Sequence, residues 1–291
     1  MSSIIVPKWV KKFWFVKDKK PYYPENIFEE IKNKTQKLVS DKPVVSVCIV
    51  AYNEEMNVLR SIASLAEQKT TYPIEIICID NNSTDNTKEI MEKTGVKVYS
   101  QPKKGIANAR QKALEMAQGK YYLCGDADCI YPPTWVEQIM KKLSKPGIAG
   151  VYGRVAFYSK NYSTLRIGFA FYEFIKYIIH DLRGIKRPEL SAGGANFGFI
   201  KEYADKIGGW NTSIKRGSDG YMAWKLKDYG KVVPIRGRKS LVWTVDRSLT
   251  RDGNLFVSTL IRIFKELGRI PEYLTKQKGE YKTVDSNKLK E

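Results

Sequence analysis

Two carboxylates that could bind a cation or a polar ligand stand in the stretch YYLCGDADCI at residues 121–130. An apolar run typical of a buried strand ends there at a glycine, and Asp126 and Asp128 follow with one alanine between them. Two like charges this close repel each other unless something positive lies beside them. The sequence therefore indicates a site for a cation or for ligand hydroxyl groups, or an acidic turn in water.

Polar residues also end two earlier strand-like runs. The run PVVSVCIV at 43–50 is followed by Asn53 and Glu54, and the run IEIICID at 74–80 ends in Asp80. Apolar runs rich in β-branched residues and bounded by proline or polar residues are typical of buried strands. Because ligands bind beyond the carboxyl ends of parallel strands, the three polar ends predict one binding crevice.

The elements that must position these residues alternate along the first half of the chain. Apolar runs and helical periodicity predict strands at 43–50, 74–80, 96–101 and 120–128, with helices at 54–68, within 81–93 and at 105–119. Such alternation predicts an α/β fold with a mostly parallel central sheet and flanking helices. Later segments are less regular: an amphipathic segment at 163–182, a glycine-rich stretch entering a strand at 191–200, a loop, helix and strand within 216–235, and a helix at 253–267.

The charge balance limits the classes of partner. The 291 residues include 50 Lys and Arg against 31 Asp and Glu, which gives a net charge of +19. A field of that sign favours polyanions, anionic lipid head groups or phosphorylated small molecules. The 43% hydrophobic content is that of a globular protein. Apolar runs are short or broken by lysines, so we expect neither a signal peptide nor a membrane span.

The cysteines and the lone histidine do not have the spacing of a metal site. Cys48, Cys78 and Cys124 lie in apolar runs, only Cys124 and Cys129 are near each other, and His180 is the single histidine. A cysteine in an apolar run behaves as a small hydrophobe. Reduced thiols of this kind predict a cytoplasmic protein, and a peripheral position on the inner face of the cytoplasmic membrane is a further expectation.

Basic segments at both ends predict three parts: an arm at 1–42, a domain at 43–250, and a helix with a polar tail at 251–291. The arm holds ten lysines against five acids. Within it, the stretch VPKWVKKFWFVK at 6–17 interleaves aromatic residues with lysines. This pattern fits a segment packed on the domain, and it equally fits an interfacial anchor on anionic lipid.

The motifs, taken in order, resemble those of the family 2 glycosyltransferases, which have the GT-A fold. The stretches that carry the resemblance are VSVCIVAYNEE, ICIDNNSTDNT, KGIANARQKAL, YYLCGDADC, GGANFGFI and GSDGYMAWKL. They span about residues 43–250. Nucleotidyltransferases of related fold usually place a glycine-rich, arginine-bearing loop after the first strand, where this chain has Tyr52 to Glu55. The resemblance implies a Rossmann-like nucleotide-diphospho-sugar transferase fold.

The resemblance also implies which residues bind a nucleotide-diphosphate sugar, with UDP the expected carrier and GDP or dTDP as alternatives. The implied donor-binding residues are Ala51, Tyr52, Glu54, Asp80, Lys104, Arg110, Asp126 and Arg247. In the family pattern Asp128 ligates Mg²⁺ or Mn²⁺, because the diphosphate and the two carboxylates need a cation between them. Each of these residues could instead have an ordinary structural role. Asp126 and Asp128 could form an acidic turn in water, and Glu54 could stabilise the N-terminus of a helix.

Asp219 in RGSDGYMAW resembles the aspartate that serves as catalytic base in inverting transfer. The family has an acid before it, where this chain has Ser218. A helix cap is the alternative role for Asp219.

The stretch SAGGANFGFI resembles the acceptor side of the family's site, which implies roles for Gly193, Gly194, Ala195 and Asn196. The stretch VWTVDRSLTRDG resembles the closing loop, and it has Thr244, Asp246 and Ser248 where some relatives supply a histidine ligand. Arg247 and Arg251 are the diphosphate candidates in that loop. The Gln-x-x-Arg-Trp signature of processive synthases is absent, which favours the addition of one or a few sugars.

Three hypotheses follow. The first is a metal-dependent inverting glycosyltransferase acting on a hydroxyl of a glycan or lipid-linked acceptor in cell-surface polysaccharide synthesis, with peripheral association with an anionic membrane. The second is a non-catalytic sugar-nucleotide-binding scaffold, which the serine at position 218 keeps open. The third, a nucleic-acid-binding protein, is disfavoured because acids gather at the strand ends and would repel phosphate.

Overall fold

The buried strands and helices that the apolar runs predict are present in the computed structural model, which describes residues 5–17, 20–158, 164–245, 264, 266–275 and 281. The elements up to residue 116 are α1 (Lys8–Lys11), β1 (Val16–Lys17), β2 (Lys20–Pro21), α2 (Ile27–Leu38), β3 (Val45–Ala51), α3 (Val58–Leu65), β4 (Ile74–Asp80), α4 (Thr87–Lys93), β5 (Lys97–Ser100) and α5 (Ile106–Met116). The next elements are β6 (Tyr121–Asp126), β7 (Cys129–Ile130), α6 (Trp135–Leu143), β8 (Ile148–Tyr152), β9 (Val155–Tyr158) and α7 (Thr164–Lys186). The last are β10 (Phe197–Ile200), α8 (Lys201–Lys206), α9 (Ser218–Leu226), β11 (Lys231–Pro234), β12 (Val242–Val245) and α10 (Ile270–Tyr273).

Seven strands form the central sheet, in the spatial order β11-β8-β10-β6-β3-β4-β5. β6, β3, β4 and β5 pair in parallel, while β10 runs antiparallel to both of its neighbours. The sheet is therefore mostly parallel, and the predicted fold class is confirmed. A smaller sheet has the order β7-β12-β9. It brings Thr244 opposite Cys129, next to the second carboxylate of the Asp-Ala-Asp stretch.

The central strands β3, β4 and β6 are buried on both faces, which explains why their sequences are mostly apolar. Alternate residues of β3 enter two different core clusters. Val47 and Ile49 pack in one cluster, and Cys48 and Val50 pack in the other. Such alternation is the period of two that a strand imposes on its side chains.

The aromatic residues of the stretch 6–17 in the N-terminal arm pack on the domain. Phe13 and Phe15 are buried in the same cluster as the residues of β3. The ring of Trp14 lies 5.5 Å from that of Tyr158 and 5.1 Å from the guanidinium carbon of Arg60. Of the two alternatives for this segment, the structure shows the packed one.

The later predictions have mixed outcomes. The long amphipathic segment forms α7, and the glycine-rich stretch enters β10 as expected. The helix predicted at 253–267 and the polar tail fall mostly outside the described residues. In the part of the chain that the structure describes, no helix is both long enough and apolar enough to cross a membrane.

Candidate functional site

The carboxyl ends of β3, β4 and β6 meet the start of α5 around a cavity of about 400 Å³, which we call the acidic cavity. Its lining consists of Val50, Ala51, Tyr52, Glu54, Asn81, Lys104, Gly105, Ile106, Ala109, Asp126, Ala127 and Asp128. Three of its residues are acids and one is a lysine. Six of the predicted ligand-binding or metal-binding residues are thus brought together: Ala51, Tyr52, Glu54, Lys104, Asp126 and Asp128.

Hydrogen bonds between two loops shape one wall of this cavity. Asn53 lies in the left-handed region with φ of 52°, where asparagine is one of the few tolerated residues. Its side-chain oxygen accepts a hydrogen bond from the backbone N–H of Thr84 at 2.8 Å. The backbone N–H of Glu54 donates to Thr87 Oγ1 at 2.7 Å. The loop after β3 is therefore tied to the loop after β4, which positions the Glu54 side chain.

Asn81 connects the end of β4 to the loop that carries Lys104. Its amide nitrogen donates to the carbonyls of Gln101 and Lys103 at 3.0 and 2.8 Å, and its oxygen accepts from Gly105 N–H at 2.8 Å. The sequence places Asn81 at a polar strand end of the predicted crevice but assigns it no individual role. The result is a rigid turn that presents Lys104 to the cavity.

Lys104 and Tyr52 form a cationic and aromatic pair at the cavity wall. The Lys104 ammonium lies 4.9 Å from the centroid of the Tyr52 ring and donates to its hydroxyl at 3.1 Å. Both side chains are exposed. An ammonium and an exposed aromatic ring together can contact an anionic group and a planar base.

The backbone of Asp126 is held by the side chain of Tyr131. The hydroxyl of Tyr131 accepts from Asp126 N–H at 2.8 Å and donates to its carbonyl at 3.1 Å. A Cβ on the preceding Gly125 would lie 2.6 Å from that hydroxyl, so only glycine fits there. Burial raises the pKa of Asp126, Arg110 opposes this rise, and the charge of Asp128 adds to it.

The donor set of the acidic cavity fits a hard divalent cation shared with a ligand. Asp126 and Asp128 offer carboxylate oxygens to the same space, and Thr244 Oγ1 donates to the Asp128 carbonyl at 3.5 Å. Among the described residues, no group of three or more His, Cys, Asp and Glu side chains could hold a metal ion. Mg²⁺ typically binds one or two carboxylates and takes its other ligands from phosphates and water. These residues therefore fit a cation that arrives with a phosphate-bearing ligand.

A second cavity, of about 330 Å³, adjoins the first, and we call it the basic cavity. Its lining consists of Ile106, Arg110, Arg183, Glu189, Leu190, Ala192, Lys215, Arg216, Gly217, Ser218, Asp219, Gly220, Arg269 and Tyr281. Ile106 lines both cavities, so α5 forms the boundary between them. Asp219 lies in the first turn of α9, but the N-cap residue of that helix is Gly217. The helix-cap alternative for Asp219 is thus not what the structure shows.

Arg110 joins the two cavities. Its side chain is only 3% exposed, and its guanidinium donates to Asp126 at 3.1 Å and also to Asp219. The guanidinium also lies 5.3 Å from the Trp210 ring. One buried cation therefore compensates one carboxylate of the acidic cavity and one of the basic cavity, which is how these two acids can lie near each other.

The predicted acceptor-side stretch at 193–196 packs behind Arg110 and does not line the basic cavity. A Cβ on Gly194 would lie 1.6 Å from Arg110 Nη2, so this glycine makes room for the guanidinium. None of Gly193, Gly194, Ala195 and Asn196 lines the basic cavity, whereas the neighbouring Ala192 does.

Asn196 requires a correction, because its side chain is in the interior. Its oxygen accepts from Trp135 Nε1 at 2.8 Å, and its nitrogen donates to the carbonyls of Arg154 and Ser240 at 2.9 Å each. A buried amide with these bonds has a structural role and cannot contact a ligand.

The predicted residue Asp80 does not line the acidic cavity in the described structure. Asp80 is 5% exposed, and its carboxylate accepts from the backbone N–H of Ser83 at 3.3 and 3.4 Å. It shapes the loop behind the lining, and its contact with a base stays a prediction. Arg247 and its neighbours Asp246, Ser248 and Arg251 lie outside the described residues.

Comparisons with known proteins agree with this geometry. An uncharacterized glycosyltransferase of Haemophilus influenzae is 37% identical over 109 residues, which are 35% of this chain and 33% of that protein. The chondroitin synthase of Pasteurella multocida is 32% identical over 135 residues, which are 45% of this chain and 14% of that protein. The matched segments thus span a third or less of these relatives.

Solved structures show the same fold. The mannosyltransferase PcManGT of Pyrobaculum calidifontis, solved in complex with GDP-Man and Mn²⁺, superposes with a TM-score of 0.55 over 84% of this chain and 70% of that chain, at 18% identity. This likeness supports the GT-A fold. The model of the family "Glycosyl transferase family 2" matches residues 46–208, which contain all but the first residue of the segment from β3 to β10 and the whole acidic cavity. The chain therefore belongs to glycosyl transferase family 2.

Proposed function

We propose that this protein is an inverting, metal-dependent glycosyltransferase that moves a sugar from a nucleotide-diphosphate donor to a hydroxyl group of a glycan or lipid-linked acceptor. The observation that carries the proposal is the pair of adjoining cavities, one with Asp128 in its lining and the other with Asp219. The first would hold the donor and the second the acceptor. Membership of the family and the glycosyltransferase names of its relatives support the reaction class.

The acidic cavity suits the nucleotide-diphosphate part of the donor. Tyr52 and Ala51 would flank the base, and Lys104 would contact the diphosphate. We expect UDP as the carrier, while the GDP-Man of one structural relative makes GDP the first alternative. Bound Mg²⁺ or Mn²⁺ would act as a Lewis acid on the departing diphosphate. Asp128 would hold it, with Asp126 orienting the ribose or the outer ligands.

Asp219 would act as the general base on the acceptor. Its carboxylate takes the proton from the acceptor hydroxyl, whose oxygen then attacks the anomeric carbon of the donor sugar. The bond from that carbon to the diphosphate oxygen breaks, and the nucleoside diphosphate leaves with the bonding electron pair. Attack from the face opposite the leaving group inverts the anomeric centre. Asp219 must lie within hydrogen-bond reach of the acceptor hydroxyl, and its place in the lining of the basic cavity supports this role.

Peripheral binding to an anionic membrane at its cytoplasmic face is part of the proposal, and α7 supports it. Phe171, Phe174, Ile178 and Ile185 are 60, 53, 47 and 65% exposed and recur at helical spacing. This apolar stripe and the net charge of +19 fit an anionic bilayer surface. Co-sedimentation with phosphatidylglycerol vesicles, but not with phosphatidylcholine vesicles, and its loss in F171S/F174S, would support this part.

The reaction is tested by nucleoside diphosphate release from a panel of UDP-, GDP- and dTDP-sugars with Mn²⁺, with Mg²⁺ and with EDTA. We expect slow metal-dependent hydrolysis of one donor, lost in Asp128→Ala. Asp205→Ala is the matched control, because Asp205 pairs with Lys201 at the surface of α8 and lies outside both cavity linings. Donor binding without release, with acceptor glycans present, would indicate a non-catalytic sugar-nucleotide binder. No binding of any donor with metal would contradict the proposal.

A further inference from the structure

The N-terminal arm contacts α3 near both ends of the helix. At the first turn, the Trp14 ring lies 5.1 Å from the guanidinium carbon of Arg60. Just beyond the last turn, the carboxylate of Glu67 accepts hydrogen bonds from Lys12 at 2.5 Å and from Lys34 at 2.9 Å. All three arm residues precede residue 46, where the match to the family model begins. A segment outside the family match therefore holds a helix inside it.

Arg60 connects the start of α3 to the end of β9. It is 2% exposed, and its guanidinium donates to the Tyr158 hydroxyl at 2.8 Å and to the Met56 carbonyl at 2.6 Å. The Trp14 ring packs against both partners of this contact, edge to face with the Tyr158 ring at 5.5 Å. A buried guanidinium needs hydrogen bonds and aromatic contacts of this kind to offset its desolvation. Loss of the Trp14 ring should therefore loosen the contact between Arg60 and Tyr158.

The small sheet connects Tyr158 to the turn that carries Asp128. β12 pairs with β9, which ends in Tyr158, and also with β7, where Thr244 lies opposite Cys129. Thr244 Oγ1 donates to the Asp128 carbonyl at 3.5 Å. Burial raises the pKa of Tyr158 to about 12, Arg60 opposes this rise, and the charge of Asp128 adds to it. The Asp128 carboxylate is therefore close enough to the Tyr158 hydroxyl to act on it.

α3 itself contacts the turn that carries Asp126. Ser61 Oγ donates to the Asp126 carbonyl at 3.4 Å. Ser64 Oγ accepts from the backbone N–H of Tyr131 at 3.0 Å, and the Tyr131 hydroxyl in turn holds the Asp126 backbone. Both serines are buried. A displacement of α3 would therefore disturb the backbone that presents the two carboxylates.

We propose that the N-terminal arm positions the metal-binding turn at 126–128, with Trp14, Arg60 and Tyr158 as positioning residues for the cation. Trp14 holds the contact between Arg60 and Tyr158, and this contact fixes α3 and the small sheet, which both touch the turn. The inference rests on the proposed function, because that function assigns the cation to Asp128. Loss of the Trp14 ring lowers the metal affinity of a protein that still folds.

The test compares four variants of the full chain. Trp14→Ala removes the ring, and Trp14→Phe keeps an aromatic ring at that position. Tyr158→Phe removes only the hydroxyl to which Arg60 donates. Phe13→Ala is the matched control, because it removes a buried neighbouring ring whose aromatic partner is Phe15. Thermal melting of each variant measures the general loss of stability.

The first measurement is amide hydrogen exchange without metal, followed by mass spectrometry on peptides that contain residues 126–131. Exchange reports local opening of the turn and needs neither donor nor reaction. The second measurement is the Mn²⁺ concentration that gives half-maximal binding of UDP or GDP, whichever the wild type binds. Calorimetric titration of the nucleotide at several Mn²⁺ concentrations provides it.

We expect faster exchange of the turn in Trp14→Ala, with a half-saturating Mn²⁺ concentration about tenfold higher than in the wild type. Tyr158→Phe should change both quantities in the same direction by a smaller factor. Trp14→Phe should resemble the wild type in both measurements. Phe13→Ala should melt at a lower temperature, because a buried ring is lost, and should keep the exchange of the turn and the Mn²⁺ dependence of the wild type.

Wild-type exchange and Mn²⁺ dependence in both Trp14→Ala and Tyr158→Phe would overturn the inference. Changes in Phe13→Ala as large as those in Trp14→Ala would overturn it too, because they would show a general effect of stability. If Trp14→Ala does not fold, Tyr158→Phe decides. A wild type that binds neither nucleotide with Mn²⁺ contradicts the proposed function, and the exchange of the turn then decides the positioning role by itself.

Discussion

The acidic cavity and the basic cavity share the boundary at α5, yet they are assembled in different ways. The acidic cavity consists of residues that directly follow neighbouring parallel strands, within residues 50–128. The basic cavity gathers residues from α5, the end of α7, the first turn of α9 and the region around α10, as far as residue 281. The first is a consequence of sheet topology, and the second depends on how later segments pack.

Arg110 connects the two cavities chemically. It contacts Asp126 on one side and Asp219 on the other. In the proposed reaction, one acid acts on the donor and the other on the acceptor. We therefore expect a variant in the acidic cavity to change donor binding and a variant in the basic cavity to change transfer to the acceptor. Variants of Arg110, or of Gly194 beside it, should change both.

The largest expected effect belongs to the basic cavity. Asp219→Asn should lower the rate of sugar transfer about 10³-fold, because the amide cannot accept the acceptor proton. Steady-state kinetics with the active donor measure it. Asp228→Asn, an exposed acid beyond the far end of α9, is the control and should transfer normally. A loss of less than about tenfold in Asp219→Asn would assign the base to another residue.

The second-largest effect should involve both cavities, because it displaces Arg110. Gly194→Ala places a methyl group where Arg110 Nη2 lies, so we expect the guanidinium to leave one or both carboxylates. Transfer should fall by about 10- to 100-fold, with weaker metal-dependent donor binding as well. Gly193→Ala is the matched control, since nothing lies within 4 Å of its Cβ position. Equal transfer rates and equal donor affinities in the two variants would show that the position of the Arg110 guanidinium does not matter for either step.

His180 in α7 packs against Tyr152 in β8 and should make the stability of the fold depend on pH. Burial, with the nearby charges of Arg154, Lys176 and Arg183, lowers its pKa to about 3. The unfolded chain binds the proton near 6.5, so the folded state loses stability as the pH falls below that value. When the pH falls from about 6.5 to about 5, the free energy of unfolding should decrease by about 2 kcal/mol.

The His180→Phe variant should lack that part of the pH dependence, while keeping an aromatic ring beside Tyr152. Urea unfolding at several pH values measures it. Because His180 is the single histidine, proton NMR of its ring is a direct check. A ring that titrates near 6.5 in the folded protein would contradict the prediction.

The smallest effect should be confined to the acidic cavity. Lys104→Ala removes the ammonium beside Tyr52 and should weaken donor binding about tenfold, with little change in the rate at saturating donor. Titration calorimetry with Mn²⁺ measures it. Lys103→Ala, the adjacent exposed lysine outside the lining, is the control. Equal losses of donor affinity in both variants would indicate that the net positive charge of the loop matters and that a specific contact of Lys104 does not.

The sequence predicted the acidic cavity well for a physical reason. Consecutive parallel strands bring their carboxyl ends to one edge, so Glu54, Asp126 and Asp128 could be placed together without a structure. The fold class followed from the same alternation. Asn81 could be placed at a polar strand end, but its role could not be predicted, because only its three hydrogen bonds show that it holds the loop of Lys104.

The basic cavity could not be predicted in the same way. Arg183, Lys215 and Tyr281 are far apart in the sequence, and no periodic pattern joins them. The amide of Asn196 sits in a glycine-rich stretch that resembles an acceptor segment, yet burial decides its role. Burial also separates the alternatives for Phe13, because lysines beside aromatic residues occur both at membrane surfaces and on packed helices.

The separation of the two cavities is tested most directly by donor affinity in two variants. The nucleotide sugar that the wild type hydrolyses is titrated, with Mn²⁺, into Asp128→Ala and Asp219→Asn. The account predicts that Asp219→Asn binds donor within about twofold of the wild type, whereas Asp128→Ala binds it at least about tenfold more weakly. Equal losses of donor affinity in both variants, or full retention in Asp128→Ala, would contradict it.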